Sequence, residues 1–157
     1  MFKNCSKPDT IHTILSRSYS VYLFSIIVGV IMDTIIIFHF SFSYHTEVGF
    51  AIIILGTLLV YWAQHTSSSS KKESVDTNTP RDFAKGPYKY TRNPTHVGLM
   101  LMTLGFGVMI GSYFIVILTV FSFITSKFVF LPNEEKLLVK KYGQDYIDYQ
   151  KKVHPWI

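Results

Sequence analysis

The chain has 157 residues, room for one domain of ordinary size. Hydrophobic residues make up 48%, charged residues only 16%, the mean hydropathy is +0.27 and the formal net charge is +5. Soluble domains carry about 25% charged residues, so this composition excludes a soluble enzyme, a disordered chain and a secreted disulfide scaffold. A single cysteine, Cys5, cannot form an internal bridge.

Four apolar blocks follow one another: residues 21–40, 48–64, 96–110 and 113–131. Of the Asp, Glu, Lys and Arg residues, only Asp33 and Lys127 fall inside them. A bilayer core of about 30 Å needs roughly 20 helical residues, which the first and last blocks supply and the second approaches. The third is short and begins among the polar residues before it. None alternates with period 2, which disfavours a β-barrel. The expected fold is an all-α integral membrane protein: four transmembrane helices as two hairpins, followed by an amphipathic cytoplasmic helix. The chain reads as a single membrane domain, with a first hairpin over 1–65, a flexible linker over 66–79 and a motif-bearing region over 80–157. The first block is longer than a signal h-region and lacks a small-residue cleavage site, so it reads as a retained anchor.

Charge gives the orientation. Every Lys and Arg lies before the first block, between the second and third, or from Lys127 onward; 41–47 and 111–112 carry none. By the positive-inside rule both termini and the 65–95 loop are cytoplasmic. Tyr61 and Trp62 on one side, with Phe42 and Tyr44 on the other, suit interfacial belts. The basic residues are scattered along one face and no nucleic-acid motif is present, so attraction to anionic membrane lipids explains them. No nucleic-acid partner is expected.

Asp33 is costly inside an apolar span and must face protein or water; a structural hydrogen bond to a neighbouring helix is preferred over a substrate contact. The Ser- and Thr-rich run before Pro80 has no apolar periodicity, which suggests the flexible linker. From Pro80 the chain changes character, with three prolines and two glycines in PRDFAKGPYKYTRNPTHVG, and continuous helix is forbidden until about Thr95. A stiff loop carrying aromatic and basic side chains is where chemistry is expected. Gly107 and Gly111 match helix packing by small residues. Beyond Pro132, Asn133 is a plausible N-cap for a helix starting at Glu134, with Glu134 and Glu135 in its first turn. Leu138, Tyr142, Tyr146, Tyr149 and Val153 step by 4, 4, 3 and 4, one helical stripe with Gly143 as its weak point.

These residues resemble the isoprenylcysteine carboxyl methyltransferase family, within the small membrane methyltransferases that include the phospholipid methyltransferases. The resemblance rests on Gly86-Pro87-Tyr88, on Arg92-Asn93-Pro94-Thr95-His96-Val97-Gly98, on the apolar hairpin 97–131, on Glu134-Glu135-Lys136-Leu137-Leu138, and on Lys141-Tyr142-Gly143-Gln144-Asp145-Tyr146 with Tyr149 and Pro155. It covers about residues 80–157. Asn93 stands where that family usually has His, and His96 where it usually has Tyr. The resemblance implies an S-adenosylmethionine site at the membrane surface and a lipid or prenylated small-molecule or protein acceptor, with carboxyl O-methylation preferred over N-methylation. It implies Arg92, His96 and Glu134 as catalytic residues. Tyr88, Tyr90, Arg92, Asn93, Pro94, His96, Gly98, Glu134 and Glu135 would bind the cofactor, and no metal is expected. Arg92 suits the cofactor carboxylate, the glutamates its amino group or ribose hydroxyls, and Tyr88, Tyr90 and His96 its adenine or sulfonium. Gly98 would permit close backbone approach. Gly105 and Gly107 also resemble the Gly-x-Gly of the phospholipid methyltransferases. Two alternatives remain: a non-catalytic lipid- or partner-binding protein of the same fold, and a nicotinamide-dependent membrane reductase, against which the Glu134-Glu135 pair speaks.

Overall fold

The computed structural model describes residues 11–36, 39–76 and 83–154. Expectations placed on Cys5, Lys3, Lys7, Pro80, Arg81 and Pro155 lie outside the described residues. The described residues form, in order, α1 Ile11–Ile35, α2 His45–Asp76, α3 Pro94–Ile110, α4 Tyr113–Thr125, α5 Leu131–Tyr142 and α6 Gln144–Lys152. A 3-10 turn, Gly86–Lys89, precedes α3, and a π turn, Ser126–Phe130, joins α4 to α5. Among the described residues no strand forms; His39 and Ser112 make one isolated antiparallel bridge. The all-helical class therefore agrees with the sequence. Among the described residues, two helices are long and apolar enough to cross a membrane, His45–Ser69 and Tyr113–Tyr142, while Tyr19–Ile35 and Pro94–Ile110 are shorter apolar helices.

Helix α2 packs along α3, and glycine decides how closely. A Cβ on Gly49 or Gly56 would collide with the backbone at Met109 and Gly105 or at Gly98 and Met102. A Cβ on Gly98 or Gly105 would collide with α2 in return. The four glycines sit seven apart on each helix, so one face of each meets the other backbone to backbone. The outer face of α2 carries Phe50, Ile54, Leu55, Leu58, Tyr61 and Trp62, all exposed. No water-facing helix would keep such a row. Helix α1 instead packs on α4. Gly29 meets Ile115 there, and the Ser25 hydroxyl hydrogen-bonds with that of Ser122. Gly107 also packs on Ile115, so it and Gly105 face different helices and serve packing. Gly111 closes α3 in the left-handed region at φ 76°, where a Cβ would strike the Phe40 carbonyl. Ser112 then caps α4 by accepting from Ile115 N–H at 3.0 Å.

Three local expectations change. The run predicted as a flexible linker is helical through Asp76, and only 77–79 of it lies outside the described residues. Extending a formed helix costs only the small propensity deficit of Ser and Thr, because the nucleus already exists. Thr66 also abuts Gly86, whose φ of +55° and missing Cβ admit it. Asn133 is no N-cap: α5 begins at Leu131 as a continuation of the π turn, and Asn133 Nδ2 donates to the Val129 carbonyl at 2.9 Å. Asp33 lacks its expected structural bond, since both carboxylate oxygens are buried with no hydrogen-bond partner among the described residues.

The C-terminal stripe forms as read. Tyr146, Tyr149 and Val153 are buried together, with Leu138 and Tyr142 packed beside them. Gly143, at φ 62° and ψ −135°, divides the stripe into α5 and α6. Phe83 sits at the centre, with ring centroids 5.0 Å from Tyr142, 5.4 Å from Tyr146 and 5.7 Å from Tyr149. This aromatic cluster ties α5 and α6 to the loop before α3, and so brings two distant stretches of sequence to one place.

Candidate active site

His96 lies in the first turn of α3 and Arg92 in the loop just before its N-cap, Asn93. Pro94 begins the helix, where its missing N–H costs nothing. Opposite them stand Glu134 and Glu135 in the first turns of α5. Arg92 Nη1 lies 2.8 Å from Glu135 Oε1, with the two side chains 10% and 20% exposed. His96 Nε2 lies 3.1 Å from Glu134 Oε2, with the two side chains 3% and 9% exposed. The adjacent acids therefore take different partners from one helical turn.

The Arg92–Glu135 pair is held from behind. Gln150 of α6 donates its amide to Glu135 Oε2 at 3.1 Å. The Arg92 backbone N–H donates to the His154 carbonyl at 3.2 Å. The Tyr149 hydroxyl donates to the Tyr88 carbonyl at 2.7 Å, fixing the 3-10 turn against α6. Burial raises the Tyr146 phenol above its ordinary range, and the Glu135 charge adds to the shift. Among the described residues, Arg92 Nε and His96 Nδ1 are buried without a hydrogen-bond partner. Buried polar atoms are rarely left so.

Of the expected site residues, Arg92, His96, Glu134 and Glu135 come together. Asn93 holds the N-cap position of α3, its backbone N–H bonded to the Thr91 hydroxyl at 3.3 Å. Pro94 is buried as the first residue of that helix. Tyr88 packs with the aromatic cluster. Tyr90 is 67% exposed. Gly98 faces Gly56 and Val60, so the close approach it permits is that of α2. Gln150 and the His154 carbonyl were not anticipated. A Gln on an amphipathic helix carries no signal of its own, and a backbone carbonyl carries none at all.

Protein-S-isoprenylcysteine O-methyltransferase of Schizosaccharomyces pombe is 29% identical over 120 residues, 73% of this chain and 50% of that protein. The enzyme of the same name from Saccharomyces cerevisiae is 28% identical over 123 residues, 73% of this chain and 51% of that protein. The chain thus spans about half the length of these curated relatives. No solved structure is significantly similar. The phospholipid methyltransferase family profile matches residues 44–145, which include α2, α3, α4, α5 and all four paired side chains. With well over half of its length matched, the chain belongs to the phospholipid methyltransferase family.

Proposed function

We propose that the protein is a membrane methyltransferase that uses S-adenosylmethionine and methylates a lipid-like or isoprenylcysteine-type acceptor, with carboxyl O-methylation preferred. The observation that carries this reading is the pair of buried, partnerless nitrogens, Arg92 Nε and His96 Nδ1, beside two glutamates. An amino-acid zwitterion needs a cationic donor for its carboxylate and an acceptor for its ammonium, and the site holds both. Arg92 has donors left after engaging Glu135 and can bind the carboxylate. Glu134 and Glu135 offer oxygens to the ammonium or to ribose hydroxyls. Family membership and the two isoprenylcysteine methyltransferase relatives support the same cofactor and acceptor class.

When bound, S-adenosylmethionine supplies an electrophilic methyl group on a sulfonium centre. The residues around it align the acceptor and exclude water, which lowers the barrier of an in-line displacement. A carboxylate acceptor is already ionised and needs no base. For an amine acceptor His96 is the candidate base: with Nε2–H donated to Glu134, its Nδ1 is a bare acceptor.

In this reading the four apolar helices cross the bilayer as two hairpins, with both termini and the 65–95 loop cytoplasmic. The site then lies at the cytoplasmic surface, where a lipid-anchored acceptor meets a water-soluble cofactor. Calorimetric titration of the detergent-purified protein with S-adenosylmethionine and S-adenosylhomocysteine tests the reading. Saturable binding that Arg92→Ala abolishes is expected. Binding unchanged by both Arg92→Ala and Glu134→Ala would remove the site assignment.

A further inference from the structure

The continuous helix from α4 to α5 presents one buried face, and the spacing of that face changes at the π turn. Ile115, Thr119, Ser122 and Ser126 are buried at steps of 4, 3 and 4, the α-helical rhythm. The next buried residues are Leu131 and Glu134, at steps of 5 and 3. Regular helix would have brought Val129 and Asn133 to that face, yet Val129 is 51% exposed and Asn133 is also exposed. The π turn accounts for the difference. Leu131 N–H reaches back five residues to the Ser126 carbonyl, so one residue is absorbed without advancing the face. At about 100° per residue, Glu134 would lie about 80° off the face of Ser126 in regular helix; absorbing one residue returns it to within about 20°.

Pro132 supplies the cause. It has no N–H, and in regular helix its ring would press on the carbonyl four residues back, that of Phe128. A widened turn relieves that clash. Pro132 itself is exposed and is not one of the paired site residues.

The geometry points to Pro132 as a positioning residue: through the π turn it selects Glu134 rather than Asn133 to oppose His96, and Glu135 to oppose Arg92. This rests on the cofactor site proposed above, so its test includes a readout that needs no ligand. In a Cys5→Ser background, His96→Cys combined with Glu134→Cys is compared with His96→Cys combined with Asn133→Cys, using a short bismaleimide cross-linker. The Glu134 pairing should react faster, and adding Pro132→Ala should raise the rate of the Asn133 pairing. Equal rates for the two pairings would overturn the inference. In the unaltered site, Pro132→Ala should weaken S-adenosylhomocysteine binding roughly tenfold, about 1.4 kcal/mol. Deleting Val129 in that background gives regular helix with Glu134 back in phase, and should restore binding to within about threefold. Unchanged binding in Pro132→Ala, or no recovery in a folded, monodisperse deletion variant, would overturn it as well. A parent chain that binds no cofactor but cross-links selectively at Glu134 would defeat the cofactor reading and leave the phase inference standing.

Discussion

Two seams hold α3 in place, and they work by opposite means. Along α2 it is held by the absence of side chains: Gly49 and Gly56 meet Gly98 and Gly105 with backbones nearly touching. At its N-terminal end it is held by charge and aromatic rings, through Arg92, His96 and the cluster around Phe83. The first seam can be neither widened nor substituted without moving a helix. The second consists of groups that can exchange partners, which is what a binding site requires. Under the proposed function, a rigid seam beside an exchangeable one would let a ligand displace contacts without unseating the helix that carries them.

Breaking the rigid seam should have the largest effect. Gly105→Val would drive a branched side chain into the Gly49 carbonyl and the Ile53 backbone, and should cost more than about 4 kcal/mol. Loss of monodisperse protein in detergent, or a collapse of its melting temperature, checks this.

The next effect separates the two glutamate contacts. Glu135→Ala strands Arg92, which cannot lose its proton, in a site where its side chain is 10% exposed. A cost of about 3 kcal/mol is expected. Glu134→Ala removes a single hydrogen bond from the His96 ring, so about 1 kcal/mol is expected. Thermal unfolding of the two variants side by side reads the difference; an equal or reversed order would show that the pairs are not as distinct as their geometry.

Tyr149→Phe removes the 2.7 Å bond to the Tyr88 carbonyl. It should cost about 1 kcal/mol and loosen the 3-10 turn, seen as faster amide exchange over 86–90.

The smallest effect is a pH dependence. Burial, aided by Glu135, raises the Tyr146 phenol above its usual value, which is about 10 in an unfolded chain. The unfolded chain loses this proton first. Its contribution is therefore fully present below pH ~10 and is lost as pH rises above it. Tyr146→Phe should flatten the alkaline limb of the stability profile while leaving neutral pH little changed.

The legibility of the two seams in the sequence also differs. The aromatic stripe of the tail was readable from its spacing, because a helix repeats with a fixed period whatever it packs on. Arg92, Glu134 and Glu135 stood out through the order of motifs along the chain. Their partners did not: nothing in Glu134-Glu135 says which acid meets Arg92, because that depends on the phase of α5 against α3. Gln150 was invisible for the same reason, being one polar residue among several on α6. Gly98 was read as a place for a ligand to approach, but the approaching backbone is that of α2, and sequence spacing cannot name the neighbour.

By itself, the sequence determined the all-helical class, the apolar blocks, the basic segments between them and the amphipathic tail. Each of these follows from local composition and period. Tertiary structure alone decided that α2 runs on through 66–76, that α4 continues through a π turn into α5 instead of ending before Pro132, and that Arg92 takes Glu135 while His96 takes Glu134. These outcomes depend on rotation and contact between segments some forty residues apart. An extra residue in one turn shifts every later side chain by about 100°, and only packing against a second helix selects the phase that survives.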